Sequence, residues 1–142
     1  MPKFKPSRPS PKTSLIDTES IKEKLLEDNI SFSYKYLNWK TDKFVVTHKN
    51  NTYFVKVFER FRDLCRYPCH QLKTVTVKTL RNHTVDWSDV TETSFGIPRE
   101  SEIVDKPFQF GVSANEHGRV IGFFIGNTFF VVWFDPDHEL YS

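Results

Sequence analysis

With 142 residues, 15% of them aromatic and 14 of them Phe, the chain has the length of one domain whose core is built from large rings, a composition that favours strands over a helical bundle. Its net charge of +2 is unevenly placed: Lys3, Lys5, Arg8 and Lys12 face no acid in the first twelve residues, which leaves sixteen basic against eighteen acidic groups in the rest. A slightly acidic body excludes broad, non-specific phosphate binding as the main activity, so any nucleic-acid role rests on a local patch or on the tail.

Residues 1 to 12 hold four prolines among Lys, Arg and Ser and bury too little apolar area to offset ordering entropy, so they read as a disordered basic tail. They carry no apolar stretch of the signal-peptide kind, and no run of about 18 apolar residues follows, so the cytoplasm is the expected location and no membrane partner is expected. Residues 13 to 142 read as a single α+β domain. From Ser14 to Asn29, Leu15, Ile16, Ile21, Leu25 and Leu26 predict a short amphipathic helix, with Asp17 or Thr18 as its cap. Phe32, Tyr34 and Tyr36 then alternate with polar residues, and KFVVTH after the turn at Lys40, Thr41 and Asp42 reads as the hairpin partner of that strand.

Between Thr52 and Tyr67 the set Phe54, Val55, Phe58, Phe61, Leu64 and Cys65 falls at helical spacing, with Pro68 as the stop. A short, weak helix is expected in 69 to 82, an extended segment at HTVDW (83 to 87), and a long surface loop over the acidic stretch 88 to 105. Cys65 and Cys69, four apart with no second pair, read as buried or idle thiols, and the three N-x-S/T sequons carry no meaning without a secretory signal.

The last third predicts a three-stranded antiparallel meander. Phe108, Phe110 and Val112 alternate; RVIGFFI and TFFVVWF then flank the two-residue loop Gly126 and Asn127. That loop pairs residues whose numbers sum to 253. It puts Arg119, Ile121, Phe123, Phe130, Val132 and Phe134 on one face, and Val120, Phe124, Phe129, Val131 and Trp133 on the other. Both faces are apolar and both need cover, one from the helix of residues 54 to 64 and the other from a second element or a partner. The fold class that results is an antiparallel sheet packed on one or two helices, with an extra N-terminal helix and hairpin.

No Gly-rich phosphate loop, zinc pattern or nucleophile elbow occurs, and neither a cofactor nor a metal is expected. The hairpin does bring a polar set to one end of the sheet: His117 and Arg119 where the first strand begins, His138 and Tyr141 after the second ends. Arg clamps a phosphate and stabilises charge building on it, while His or Tyr moves protons.

The segment EHGRVIGFFIGNTFFVVWFDPDHELY resembles the closing strands of the RelE and YoeB toxins, in which an Arg begins one strand, an apolar hairpin follows, and His and Tyr close the chain. The likeness spans about residues 54 to 141 and is most specific over the last 35 or so. It implies a ribosome-associated mRNA endonuclease in which the 2′-hydroxyl attacks the adjacent phosphorus, with Arg119 as phosphate ligand, His138 as acid and Tyr141 orienting a base. Arg81, His83, Asp86 and His117 are the candidates for the general base or for RNA contacts. The same resemblance implies a cognate antitoxin, with mRNA and the ribosome as partners. A non-catalytic relative of the ParE kind and a small interaction protein of a phage or mobile element remain open as alternatives.

Overall fold

A computed structural model describes residues 14–26 and 28–141; the expected tail of residues 1 to 12 lies outside them. Helix α1 (Ser14–Leu26) leads to strand β1 (Ser31–Ser33), helices α2 (Asn51–Leu64) and α3 (Cys69–Thr74), and the two-residue strand β2 (His83–Thr84). A 3-10 turn (Trp87–Asp89) and the short helix α4 (Glu100–Ile103) precede strands β3 (Phe108–Gly111), β4 (Arg119–Ile125) and β5 (Thr128–Asp135), and a 3-10 turn (Glu139–Tyr141) follows.

The strands form one sheet in the order β1-β5-β4-β3-β2. The pairs β2–β3, β3–β4 and β4–β5 are antiparallel, so the three-strand meander is present, but β1 pairs parallel to β5 and the sheet is mixed rather than antiparallel. The expected N-terminal hairpin is absent. Ser31–Ser33 takes the open edge of β5 instead, with Ser31 N donating to Asn127 O at 3.0 Å and Phe32 stacked on Phe61 of α2 at 4.5 Å. The chain then wraps that edge: Asn38 N donates to Val132 O, Tyr36 meets Phe123 and Phe130 on the far face, and Phe44 stacks on Trp133 at 4.6 Å. The alternation in KFVVTH arises because buried Phe44 and Val46 enter the cores on opposite faces of the sheet, not because the segment pairs as a strand.

From Ile125↔Thr128 to Gly122↔Val131 the pairing keeps the expected register, and beyond it a bulge shifts the partners by one, to Ile121↔Trp133, Val120↔Phe134 and Arg119↔Asp135. The extra residue, Val132, is the one left without a partner. The consequence is a swap of faces: Trp133 joins Ile121, Phe123 and Val132, while Phe134 joins Val120, Phe129 and Val131. Gly122 permits this crossing, because a Cβ there would lie 1.9 Å from Phe130 O and 2.9 Å from the Phe129 ring.

Two cores result. The first gathers Val120, Phe129, Val131 and Phe134 with Tyr53, Val57, Phe61 and Leu64 of α2, Cys69 and Leu72 of α3, and Leu80. Asn50 caps α2 by accepting from Tyr53 N. The apolar stripe of α2 is wider than its buried face: Val55 and Phe58, expected in the core, are 53% and 63% exposed. The described side chains of α1, from Asp17 to Leu25, are likewise exposed. Helix α3 is shorter than the 69 to 82 window, and the chain beyond it is closed by buried Asn82, which donates to Leu72 O and Val75 O and accepts from Val77 N, all at 2.8 Å. Both cysteines are free, Cys65 exposed and Cys69 buried, and desolvation raises the pKa of each thiol.

The second core lies on the other face and is covered by the segment expected to be a surface loop. Val85 and Phe95 are buried there, with Trp87, Val90, Ile97, Ile103 and Val104 packed around them. Glu100 holds this segment in place, its carboxylate accepting from the backbone N–H groups of Phe95, Gly96 and Ile97 at 3.0, 2.8 and 3.3 Å. No helix among the described residues is long and apolar enough to cross a membrane.

Candidate functional site

The polar groups collect where the second face reaches the N-terminal end of β4. Arg119 begins β4 opposite Asp135 on β5 and Gly111 on β3. A Cβ at Gly111 would crowd Leu80 O at 3.1 Å and Ser113 O at 3.2 Å, and the Arg119 guanidinium lies in ordinary contact with the same position at 3.7 Å. Arg119 is half-buried, and its Nη1 donates to Gly118 O at 3.2 Å. Its pKa is lowered, first by burial and then by the nearby positive charge of Arg81; Asp135 and Tyr141 act in the opposite sense. Arg81 itself is exposed, sits in the left-handed region at φ 54°, and donates from Nε to Ala114 O at 3.3 Å. A non-glycine residue in that conformation costs roughly 1–2 kcal/mol. The turn that imposes it, with Arg81 N bonded to Val77 O and Leu80 O accepting from Gly111 N, brings the side chain beside Arg119.

His83 on edge strand β2 completes the group. Its ring lies 6.3 Å from that of Tyr141, and its Nδ1 is 2.7 Å from Thr84 O. A carbonyl only accepts, so Nδ1 carries the proton; in the neutral ring Nε2 then holds the free lone pair and is the basic atom. Tyr141 is 48% exposed. Its pKa is raised by burial first and by Asp89 second, against a smaller opposing effect of Arg119, so at neutral pH it is a protonated phenol.

Asp135 anchors this arrangement. Its carboxylate is buried at 1% exposure and accepts from Glu139 N at 2.7 Å and Leu140 N at 2.9 Å, which fixes the 3-10 turn that presents Tyr141. Burial raises its pKa above the ordinary 3.8, with the two backbone hydrogen bonds and His138 opposing. The folded chain therefore holds this proton more tightly than the unfolded chain does. The stability contributed is full below the unfolded pKa and is lost as pH rises through the folded one. Asp135→Asn removes the titration and replaces one of the two accepting oxygens with an amide nitrogen that cannot accept. It is expected to cost about 1–3 kcal/mol at pH 4 and less at pH 7, read from urea midpoints at both pH values; an unchanged difference between the two would remove Asp135 from the account.

Gln109 lies on β3 between His83 of β2 and Ile121 of β4 in the pairing, and it is 3% exposed with Oε1 unpartnered among the described residues. It was not singled out in the sequence. The signal was the single polar residue inside FQFG, an otherwise buried strand.

Of the seven expected site residues, Arg81, His83, Arg119 and Tyr141 are thus brought together; Asp86 lines one groove with His83 and Tyr141, His138 lies near Asp135, and His117 is turned away. His117 turns to the first face, with its ring 5.9 Å from Tyr53 and its Nε2 3.5 Å from Glu116. His138, in the left-handed region at φ 59°, acts electrostatically on Asp135. Asp86 is used as a cap: its carboxylate accepts from Ser88 N and Ser88 Oγ, and these bonds, the backbone one first, lower its pKa.

An open groove of about 1110 Å³ begins at His83 and Tyr141 and runs past Asp86, Asp89, Asp105 and Lys106. Acids outnumber the one Lys in that stretch, and neither Arg81 nor Arg119 lines it. Among the described residues no cluster of three His, Cys, Asp or Glu could hold a metal ion. Comparison of the chain with protein-family models finds no match, and none of the curated proteins or solved structures matches it.

Proposed function

We propose that the chain is an RNA-cleaving toxin of the RelE kind, with its site at Arg81, His83, Arg119 and Tyr141. The observation that carries this reading is the gathering of two guanidiniums, an oriented imidazole and a protonated phenol at one end of one sheet face. His83 Nε2 takes the proton of the 2′-hydroxyl, the 2′-oxygen bonds to the adjacent phosphorus, and the bond from phosphorus to the 5′-oxygen breaks. Arg81 and Arg119 stabilise the charge building on the phosphorane, and Tyr141 gives its proton to the departing 5′-oxygen. The products are a 2′,3′-cyclic phosphate and a 5′-hydroxyl. Tyr141 takes the acid role first assigned to His138, because it lies within electrostatic reach of Arg119 and is kept protonated by its burial. A cognate antitoxin supplies an acidic segment that covers the two arginines.

A second reading, protein binding without chemistry, draws on the exposed Val55 and Phe58 of α2. Controlled induction in a bacterial host separates the two. Wild type is expected to arrest growth and create new mRNA 5′ ends, and His83→Gln is expected to lose about 100-fold of the cleavage, the lower end of what a general base contributes. Growth arrest with intact messages, relieved by Phe58→Ser and not by His83→Gln, would establish the binding reading instead.

A further inference from the structure

We propose that the cleft between α2, α3 and the 75–82 segment binds a small aliphatic carboxylate, its chain lying on Leu64, Leu72 and Leu80 and its headgroup on Arg60. The cleft is about 710 Å³, within the range of small-molecule sites, and its floor belongs to the first core, on the opposite sheet face from Arg119 and Tyr141. Its rim is open, with Tyr67, Val75 and Val77 51%, 55% and 43% exposed. The far wall is fixed, because the three hydrogen bonds of Asn82 hold the backbone at Leu72, Val75 and Val77. The site is therefore formed before a ligand arrives.

Charge selects the headgroup. Arg60 is half-buried and lines the cleft; its Nε donates to Val112 O at 3.0 Å, while its other two guanidinium nitrogens make no hydrogen bond among the described residues. Burial lowers its pKa first, against an opposing attraction from Asp63, which also lines the cleft and pairs with Arg62 at 3.2 Å. Arg66 adds a second positive charge at the rim. A carboxylate accepts from the two remaining nitrogens in the paired geometry that guanidinium favours.

Octanoate and its neutral counterpart 1-octanol are the probes, titrated into the full chain by calorimetry and located by backbone amide shifts. Octanoate is expected to saturate at one site, shift the amides of Val75, Val77 and Leu80, and bind at least about 10-fold more tightly than 1-octanol. Arg60→Met, which keeps the packed stem, is expected to abolish that preference. Arg66→Ala at the exposed rim is expected to weaken octanoate about 3-fold with the fold untouched. Equal affinity for the two probes, or octanoate binding unchanged in both variants, would overturn the proposal, as would shifts centred away from the cleft.

Discussion

Arg119→Ala is expected to lower RNA cleavage by about 100-fold or more while moving the urea unfolding free energy by less than about 1 kcal/mol. The two effects separate because of what Arg119 touches. Among the described residues its one hydrogen bond is to the neighbouring carbonyl of Gly118, and its attraction to Asp135 is offset by repulsion from Arg81. Little of the fold depends on it. In the proposed cleavage it would face a phosphorane whose extra charge exists only in the transition state, and a preorganised donor aimed at such charge is commonly worth about 2.7–4 kcal/mol, or about a hundred-fold to a thousand-fold in rate. Cleavage of a labelled message by purified chain in the presence of ribosomes, set beside urea melts of the same preparations, reads both numbers. Loss of folding in this variant would assign Arg119 to structure, as the partner of Asp135 at the strand end.

Gly122→Ala is expected to cost about 3 kcal/mol or more and to leave the chain largely unfolded on expression. A methyl group at this position would meet Phe130 O at 1.9 Å, a backbone atom that moves only if β4 and β5 separate. Separation there undoes the bulge that sends Trp133 to one core and Phe134 to the other, so both cores lose a large ring together. Gly126→Ala is the matched control. Gly126 has φ +57° but nothing within 4 Å of an added Cβ, so it bears only the left-handed backbone cost of roughly 1 kcal/mol. Thermal melts of the two variants side by side are expected to differ in that order; equal losses would mean that the close approach at Gly122 does not govern the hairpin.

The meander was legible because alternating rings around Gly126 and Asn127 fix strand, loop and register together. The bulge was not legible. Its usual sign is a polar residue displaced to the wrong face, and here both faces are apolar, so shifting Trp133 and Phe134 leaves no trace in the pattern. The parallel pairing of Ser31–Ser33 with β5 is equally silent locally, since its partner lies 97 residues away and the same alternation fits a hairpin as well. The segment 88 to 105 reads as a loop by its charge, and its acids conceal Phe95, Ile97, Ile103 and Val104, which cover the second core.

For the site, residue type carried further than spacing. Arg119 and Tyr141 were recognisable as chemistry at strand ends, and Arg81 and His83 as candidates for a base or for RNA contacts, but position along the chain could not separate them from His117, whose left-handed backbone at φ 67° accompanies a ring turned toward Tyr53. Asp135 was missed because a carboxylate in WFDPD reads as a turn residue, and only the fold shows it buried and bonded to the turn that holds Tyr141.

The most direct measurement is amide shift mapping of the labelled chain titrated with a short RNA that carries a 2′-deoxy sugar at one position, so that attack there is blocked. The account predicts saturable shifts centred on Arg81, His83, Arg119 and Tyr141, weakening as salt is raised because the contacts are to phosphate. Shifts centred on the outer face of α2, or none at these four residues at saturating RNA, would contradict it.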